Sequence, residues 1–448
     1  MRQLKKIHSA MAKGYERFLY SYGYILLITA IGVIGFFTRQ EREAIFLIAM
    51  MVSIQWVLVK DVLPSLIALM IIGMVPLARN EVDYFMPLFW ALTYTVPAWL
   101  LHWIIYPPKR QIGRFFLPTL TVAIAITLGG LFSPYYLNNF QGASLYYVIA
   151  LGIGMVMIYL VVENDLPYRK DATDYFAKMM IGVGIMGIAM VVSYYFHHWE
   201  TIVGSGPDRY FQWRNNLSNN LLLSMPFAFY LAAKAKFPLV YYLLGTVQFI
   251  ILVVSFSRGG MIFGTLVFPL LVATLFIVRP KWSLAFIVIL GGVFTGLYFF
   301  AETYFAGFEA TVASMIERVQ ISPDEARANL LRRAFENLRN YPLFGTGFGY
   351  TTAPYYNPKP MSMYWYHTTI GQVVGSLGIV GIVAYTFQAI VRTVTLIEKR
   401  ILFNLFVAFS ILGFGGYSMV NVGYFIPLPM VAVLTQMFIL VERNNRYN

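Results

Sequence analysis

Apolar positions in this chain come in long unbroken blocks, and polar positions are confined to short stretches between them. About fourteen blocks approach the ~20 residues needed to cross a bilayer. They lie at about 18–37, 43–59, 62–78, 85–106, 115–134, 144–162, 175–196, 217–233, 237–256, 260–278, 282–303, 367–390, 401–420 and 423–441. None shows the one-in-two alternation of a transmembrane strand. Lipid offers the backbone no hydrogen-bond partners, so the blocks are predicted as helices. The expected fold class is all-α. A single integral membrane domain spans 1–448 as a polytopic helical bundle of about 14 transmembrane helices, with a range of about 12–14.

Composition agrees with this pattern: 59% of the residues are hydrophobic and 12% charged, against about 25% charged in a soluble domain. A net charge of +13 would suit a nucleic-acid binder, but its distribution argues for topology instead. With the N-terminus cytoplasmic, the predicted inside segments hold most of the basic residues, among them Lys5, Lys6, Lys60, Lys109, Arg110, Arg114, Arg169, Lys170, Lys234, Arg279, Arg392, Lys399, Arg400 and Arg443. The outside segments hold Arg39, Arg42, Arg79, Arg209, Arg214 and Arg258. This is the positive-inside bias, and an even number of spans returns the C-terminus to the cytoplasm. No nucleic-acid partner is expected; membrane lipids are, through the basic helix ends. The first span follows a basic run without a small-residue cleavage site and reads as uncleaved. The chain has no cysteine, which removes disulfides and thiolate chemistry together.

Two outside connections interrupt the apolar pattern. The first runs from His197 to Asn216; the second, from about Tyr304 to Tyr366, joins the eleventh and twelfth spans. A loop this long is usually functional, and its apolar content argues against disorder. Within it, Ser322, Pro323 and Glu325 form a helix start, and the helix is expected to end at about Asn340, before Pro342. Leu330, Leu331, Ala334 and Leu338 share one face, Phe335 lies at its edge, and Arg327 falls in its middle. A cation there needs an anion or an acid. A salt bridge to Glu302, Glu309 or Glu336 is one reading and a bound anion is another.

Further candidates stand at the ends of predicted spans. "SFSRGG", Ser255–Gly260, ends one span and opens the next, which puts Arg258 at the lip of the membrane. Ser255, Ser257, Gly259 and Gly260 around it suit phosphate oxygens; a side chain snorkelling to headgroups fits equally well. His367 opens the twelfth span behind the aromatic "MYWY" and titrates near neutrality when unperturbed. Gly345, Gly347 and Gly349 resemble a nucleotide loop, but no strand–turn–helix unit surrounds them. His197, His198 and Glu200 make a poor metal site because adjacent histidines cannot share a helical face, and His102 reads as a packing residue.

Taken in order, "SFSRGG", the loop stretch "RANLLRRAFENLRNYPLFGTGFG" and "YHTTIGQVVGSLGIVG" resemble the O-antigen ligase and O-antigen polymerase family, multi-span bacterial glycosyltransferases acting on polyprenyl-diphosphate sugars. "NNLSNNLLLSMPF" resembles the family's asparagine-to-proline segment. The resemblance covers about residues 205–385. The chain departs from the family pattern at Leu331, where many members carry an aromatic, and at Thr368, where asparagine is common. The resemblance implies that Arg258 and Arg327 are catalytic and grip the lipid diphosphate, and that His367 is the general base. It implies substrate binding by Arg214, Asn216, Asn219, Lys359, Gly345, Gly347 and Tyr366, with the loop tyrosines offering faces to sugars. No metal or other cofactor is implied. The partners would be a polyprenyl-diphosphate-linked oligosaccharide, an acceptor glycan or glycolipid, and other envelope polysaccharide-assembly proteins. The location would be a bacterial inner or plasma membrane with an extracytoplasmic active site. A polysaccharide-repeat flippase is the alternative, and it would carry related halves and charges along a central cavity.

Overall fold

In the computed structural model the described residues are 14–75, 81–107, 112–166, 171–205, 214–255, 257–304, 325–350 and 364–447. They are helical throughout, with no strand among them. The helices are α1 (Tyr22–Phe37), α2 (Glu41–Leu58), α3 (Ser65–Met74), α4 (Glu81–Ile105), α5 (Phe116–Leu128), α6 (Gly142–Leu151), α7 (Ile153–Asp165) and α8 (Ala172–Ser205). The second half adds α9 (Arg214–Lys234), α10 (Pro238–Val254), α11 (Arg258–Val278), α12 (Pro280–Tyr304), α13 (Glu325–Asn340), α14 (Thr369–Ile397), α15 (Leu402–Met419) and α16 (Ala432–Tyr447). Six segments among the described residues are long and apolar enough to cross a membrane: Met86–Ile105, Gly142–Asp165, Ala172–His198, Arg258–Val278, Thr369–Ile397 and Leu402–Met419.

The axis of the bundle is α9. Residues 217–233 are buried on every side, against α8, α10, α11 and α15. A helix sheathed by other helices needs no lipid-compatible face, so α9 can carry Asn219, Asn220, Ser218 and Ser224 at its buried start. On one flank α1 lies against α8, and α2 packs along α4. On the other flank α5, α6 and α14 enclose a second apolar core around Ile126, Phe348, Leu377 and Phe425.

Three departures from the predicted spans have local causes. Helix α5 stops at Leu128, short of the expected end, because Gly130 adopts φ +81° and turns the chain into a 3-10 segment, Tyr136–Phe140. The last apolar block is regular only from Ala432, after Pro427 and Pro429. Helix α14 continues to Ile397, so Arg392 stands inside a helix and not in an inside loop as predicted.

Helices α9, α11 and α14 start at the end of the bundle where α15 finishes. At the opposite end most of the named charges are satisfied. Lys234 holds Asp174 at 2.5 Å, Arg114 holds Glu398 at 2.5 Å, and Arg279 Nε donates to the Ala233 carbonyl at 2.9 Å. Arg443 donates to the carbonyls of Glu163 and Leu166. In the first half of the chain His102 is fully buried and does more than pack. Its Nδ1 lies 2.7 Å from the Trp56 carbonyl and its Nε2 3.3 Å from Asp165.

Candidate functional site

The opening of α14 and the glycine-rich loop build one wall of the site. At Gly378, φ +61° and ψ −153°, α14 is broken, and its freed backbone groups bond to the loop. The Thr346 and Gly347 amides donate to the Gly375 and Ser376 carbonyls at 2.9 and 2.8 Å, and the Ile379 amide donates to the Pro342 carbonyl at 2.8 Å. Non-helical backbone at this depth is tolerated because another protein segment satisfies it. On the loop's other side the Asn139 side chain donates to the Gly129 carbonyl at 2.7 Å and accepts from the Gly349 amide at 2.8 Å.

This packing explains the glycines. A Cβ at Gly345 would lie 2.5 Å from the Ser376 carbonyl carbon, and one at Gly347 would lie 2.4 Å from the Asn139 side chain. Both have positive φ, +64° and +79°, which costs non-glycine residues about 1–2 kcal/mol. Gly345 and Gly347 are buried, and the space before them is filled by protein.

Helix α13 lies against α14 with the face predicted for it. Ala334 and Asn337 are buried, Leu330, Leu331 and Leu338 are partly buried, and Phe335 is exposed. The helix ends at Asn340, ahead of Pro342; the predicted cap at Ser322 and Pro323 lies outside the described residues. Asn337 donates to the Tyr366 hydroxyl at 2.6 Å, pinning α13 to the approach of α14. Tyr366 is fully buried, and burial pushes its phenol pKa well up. Its ring sits over Gly375, where a Cβ would come within 2.6 Å. Tyr364 packs edge-on to both Tyr366 and Tyr350, so these tyrosines meet one another. Tyr355, Tyr356 and Lys359 lie outside the described residues.

The three residues implied as catalytic lie along the chain beside one stretch at the end of α15, Tyr417–Asn421, which Arg327 reaches directly and Arg258 and His367 through neighbouring residues. Arg327 Nη1 donates to the Val420 carbonyl at 3.3 Å, taking up one of the acceptors that a helix C-terminus leaves open. Of the acids weighed for it, Glu336 pairs with Arg332 at 3.8 Å. Arg258 is the first residue of α11. Ser257, before it, caps that helix by accepting from the Gly260 amide, and its Oγ lies 3.0 Å from the Tyr417 hydroxyl. Gly259, after it, packs so tightly on Tyr417 that a Cβ would fall 2.3 Å from the ring. Two residues beyond His367, Thr369 Oγ1 donates to the carbonyls of Ser418 and Asn421 at 2.5 and 3.1 Å.

His367 is exposed and has φ +53°. Left-handed backbone is uncommon outside glycine, and such residues cluster at functional sites. Arg258 and Arg327 are exposed as well. Helices α9, α11 and α14 all begin here, and a helix start carries partial positive charge. Two guanidinium groups and three helix starts at one end of the bundle make a setting that favours an anion.

Several expected contributors are placed differently. Ser255 and Ser257 are fully buried, with hydroxyls bonded within the protein, so they are not free for phosphate. Asn219 is fully buried against Gly423 behind the end of α15, and Asn216 is half-buried, its carbonyl accepting from Asn220. Arg214 opens α9 at this same end. Among the described residues no cluster of His, Cys, Asp or Glu has the makings of a metal site. The sequence reading passed over Asn215, Thr369, Tyr417 and Asn421. Tyr417 donates to Asn215 at 2.9 Å and accepts from Asn421 at 3.1 Å. Nothing in the apolar run around Tyr417 marks it in advance.

Residues 243–386 match the family model described as O-antigen ligase. The matched stretch holds Arg258, Arg327 and His367, and no curated protein matches the chain. Over this stretch the chain is similar to the O-antigen ligase family, and six of its described segments are long and apolar enough to cross a membrane.

Proposed function

We propose that the protein transfers or polymerises oligosaccharide from a polyprenyl diphosphate donor onto an acceptor sugar hydroxyl, at the extracytoplasmic face of a bacterial membrane and without a metal. The observation that carries this reading is that Arg327, Ser257 directly before Arg258 and Thr369 two residues after His367 all bond to the stretch Tyr417–Asn421. Arg258 and Arg327 bind the diphosphate oxygens and stabilise the charge that builds on departure, a task suited to a permanent, forked cation. His367, neutral, takes the proton of the acceptor hydroxyl. The new bond forms between the acceptor oxygen and the donor's anomeric carbon, the bond from that carbon to the phosphate oxygen breaks, and polyprenyl diphosphate leaves.

The positive-inside bias supports placing this end of the bundle away from the cytoplasm and both termini within it. The acceptor is a glycan or glycolipid, and other polysaccharide-assembly proteins are the natural neighbours. The test incubates purified protein with a polyprenyl-diphosphate oligosaccharide and measures free polyprenyl diphosphate and lengthened glycan. His367→Ala and Arg258→Ala are expected to abolish both products with melting temperatures retained, and EDTA to have no effect. Full activity in both variants, strict metal dependence, or lipid transport without glycan extension would overturn the reading.

A further inference from the structure

Behind the site, α14, α15 and α16 enclose a cavity of about 380 Å³. One end, beside the site, is lined by Ile370, Val374 and Met419, and the other by Gln388, Arg392 and Phe438. The lining is apolar apart from a few hydroxyls, the Gln388 amide and one cation. That cation is turned inward: the Arg392 guanidinium carbon lies 5.1 Å from the centre of the Phe438 ring. Stacking on an aromatic face offsets only part of what a charge loses on leaving water.

No carboxylate among the described residues pairs with Arg392. The acid closest in sequence, Glu398, is held by Arg114 at 2.5 Å. An intramembrane arginine facing a cavity is a functional-site candidate on physical grounds. Its depth narrows the ligand. Arg392 lies at most roughly 35 Å along α14 from Thr369, at about 1.5 Å per residue and across the break at Gly378, and a bilayer's hydrocarbon core is about 30 Å thick. Thr369 at one lip therefore puts Arg392 at the headgroup level of the opposite leaflet. A phosphodiester on a lipid chain satisfies both features, charge at that level and hydrocarbon beyond it.

We propose that this cavity binds one anionic glycerophospholipid of the leaflet opposite the candidate site, with its phosphate on Arg392 and an acyl chain along the apolar lining. This site is separate from the diphosphate chemistry assigned to Arg258 and Arg327, and its test does not use turnover. Full-length protein is reconstituted into discs of phosphatidylcholine alone or phosphatidylcholine doped with phosphatidylglycerol. It is then stripped with mild detergent, and retained lipid is measured by mass spectrometry of the intact complex. Wild type is expected to retain one phosphatidylglycerol per chain in preference to phosphatidylcholine. Arg392→Gln is expected to lower that retention about tenfold, the equivalent of one charge-assisted contact. Ala389→Phe, which keeps the cation and fills the cavity, is expected to lower it as well, with melting temperatures showing that both variants fold. Equal retention by Arg392→Gln, by Ala389→Phe or of phosphatidylcholine would overturn the proposal. So would displacement of phosphatidylglycerol by an equal amount of polyprenyl phosphate, which would give the cavity to the sugar donor's lipid.

Discussion

The Tyr417 hydroxyl lies 3.0 Å from Ser257 Oγ, and through that contact the last turn of α15 holds the residue directly before Arg258. The same hydroxyl reaches Asn215 and Asn421, so it joins the starts of α9 and α11 to the end of α15. Tyr417→Phe is expected to cost about 1–2 kcal/mol of stability, the worth of a buried hydrogen-bond centre. It is also expected to lower kcat by more than that loss explains, because Arg258 is no longer held in place. A thermal melt beside a turnover assay separates the two; a variant that loses stability and keeps kcat would show that Arg258 needs no such support.

Arg327 is bonded to the Val420 carbonyl and exposed to an incoming anion, and two substitutions distinguish these tasks. Arg327→Lys keeps the charge and is expected to preserve most of the stability while losing forked phosphate recognition. Its KM for the lipid-linked donor should rise about tenfold with the melting temperature nearly unchanged. An Arg327→Lys enzyme with unaltered KM, or one that simply unfolds, would reduce the residue to a cap on α15.

His367 occupies left-handed backbone, which asparagine tolerates well among non-glycine residues. His367→Asn is therefore expected to fold with an unchanged melting temperature and to lose about 10²–10⁴-fold in kcat, the usual worth of a general base. Retained turnover in that variant would assign the strained backbone to packing alone.

Gly345→Ala places a methyl 2.5 Å from the Ser376 carbonyl carbon at φ +64°. Backbone strain and displacement together are expected to cost about 3 kcal/mol or more. Gly291→Ala in α12 meets nothing within 4 Å and is expected to be neutral or to stabilise by up to about 1 kcal/mol. Similar melting curves for the two variants would contradict the splice between the loop and the break in α14.

Glu398, just beyond α14, has its pKa lowered from the usual 4.5, mainly by the hydrogen bond from Arg114, with Asn445 and Lys399 nearby. A depressed carboxylate stabilises the fold above its unfolded value and loses that contribution as pH falls through the folded one. Wild type is therefore expected to melt progressively lower below about pH 4.5. Glu398→Gln should be less stable at neutral pH and show a shallower acid limb. Its contribution is small, because the pair is exposed.

Much of the architecture was legible because lipid imposes a one-dimensional rule. Apolar blocks must become helices, and the predicted face of α13 from Leu330 to Leu338 followed from a 100° period alone. Arg258 and His367 stood out as candidates for a related reason, since charged or titratable residues at the borders of such blocks are conspicuous, and Arg327 stood out because it fell within the apolar face of α13. Arg392 was misplaced because a block boundary was set short of the first charged residue, whereas α14 continues past it and turns the side chain into a cavity.

Residue type and spacing alone determined that the chain is helical, where its apolar segments lie and which cations stand at their ends. Tertiary structure alone decided what those groups meet. Gly345 and Gly347 face the Ser376 backbone and the Asn139 side chain rather than an open groove. Tyr417, Asn215 and Asn421 form a polar hub between helices far apart in sequence. Such contacts depend on the relative placement of helix ends, which is set by interhelical packing and carries no period along the chain.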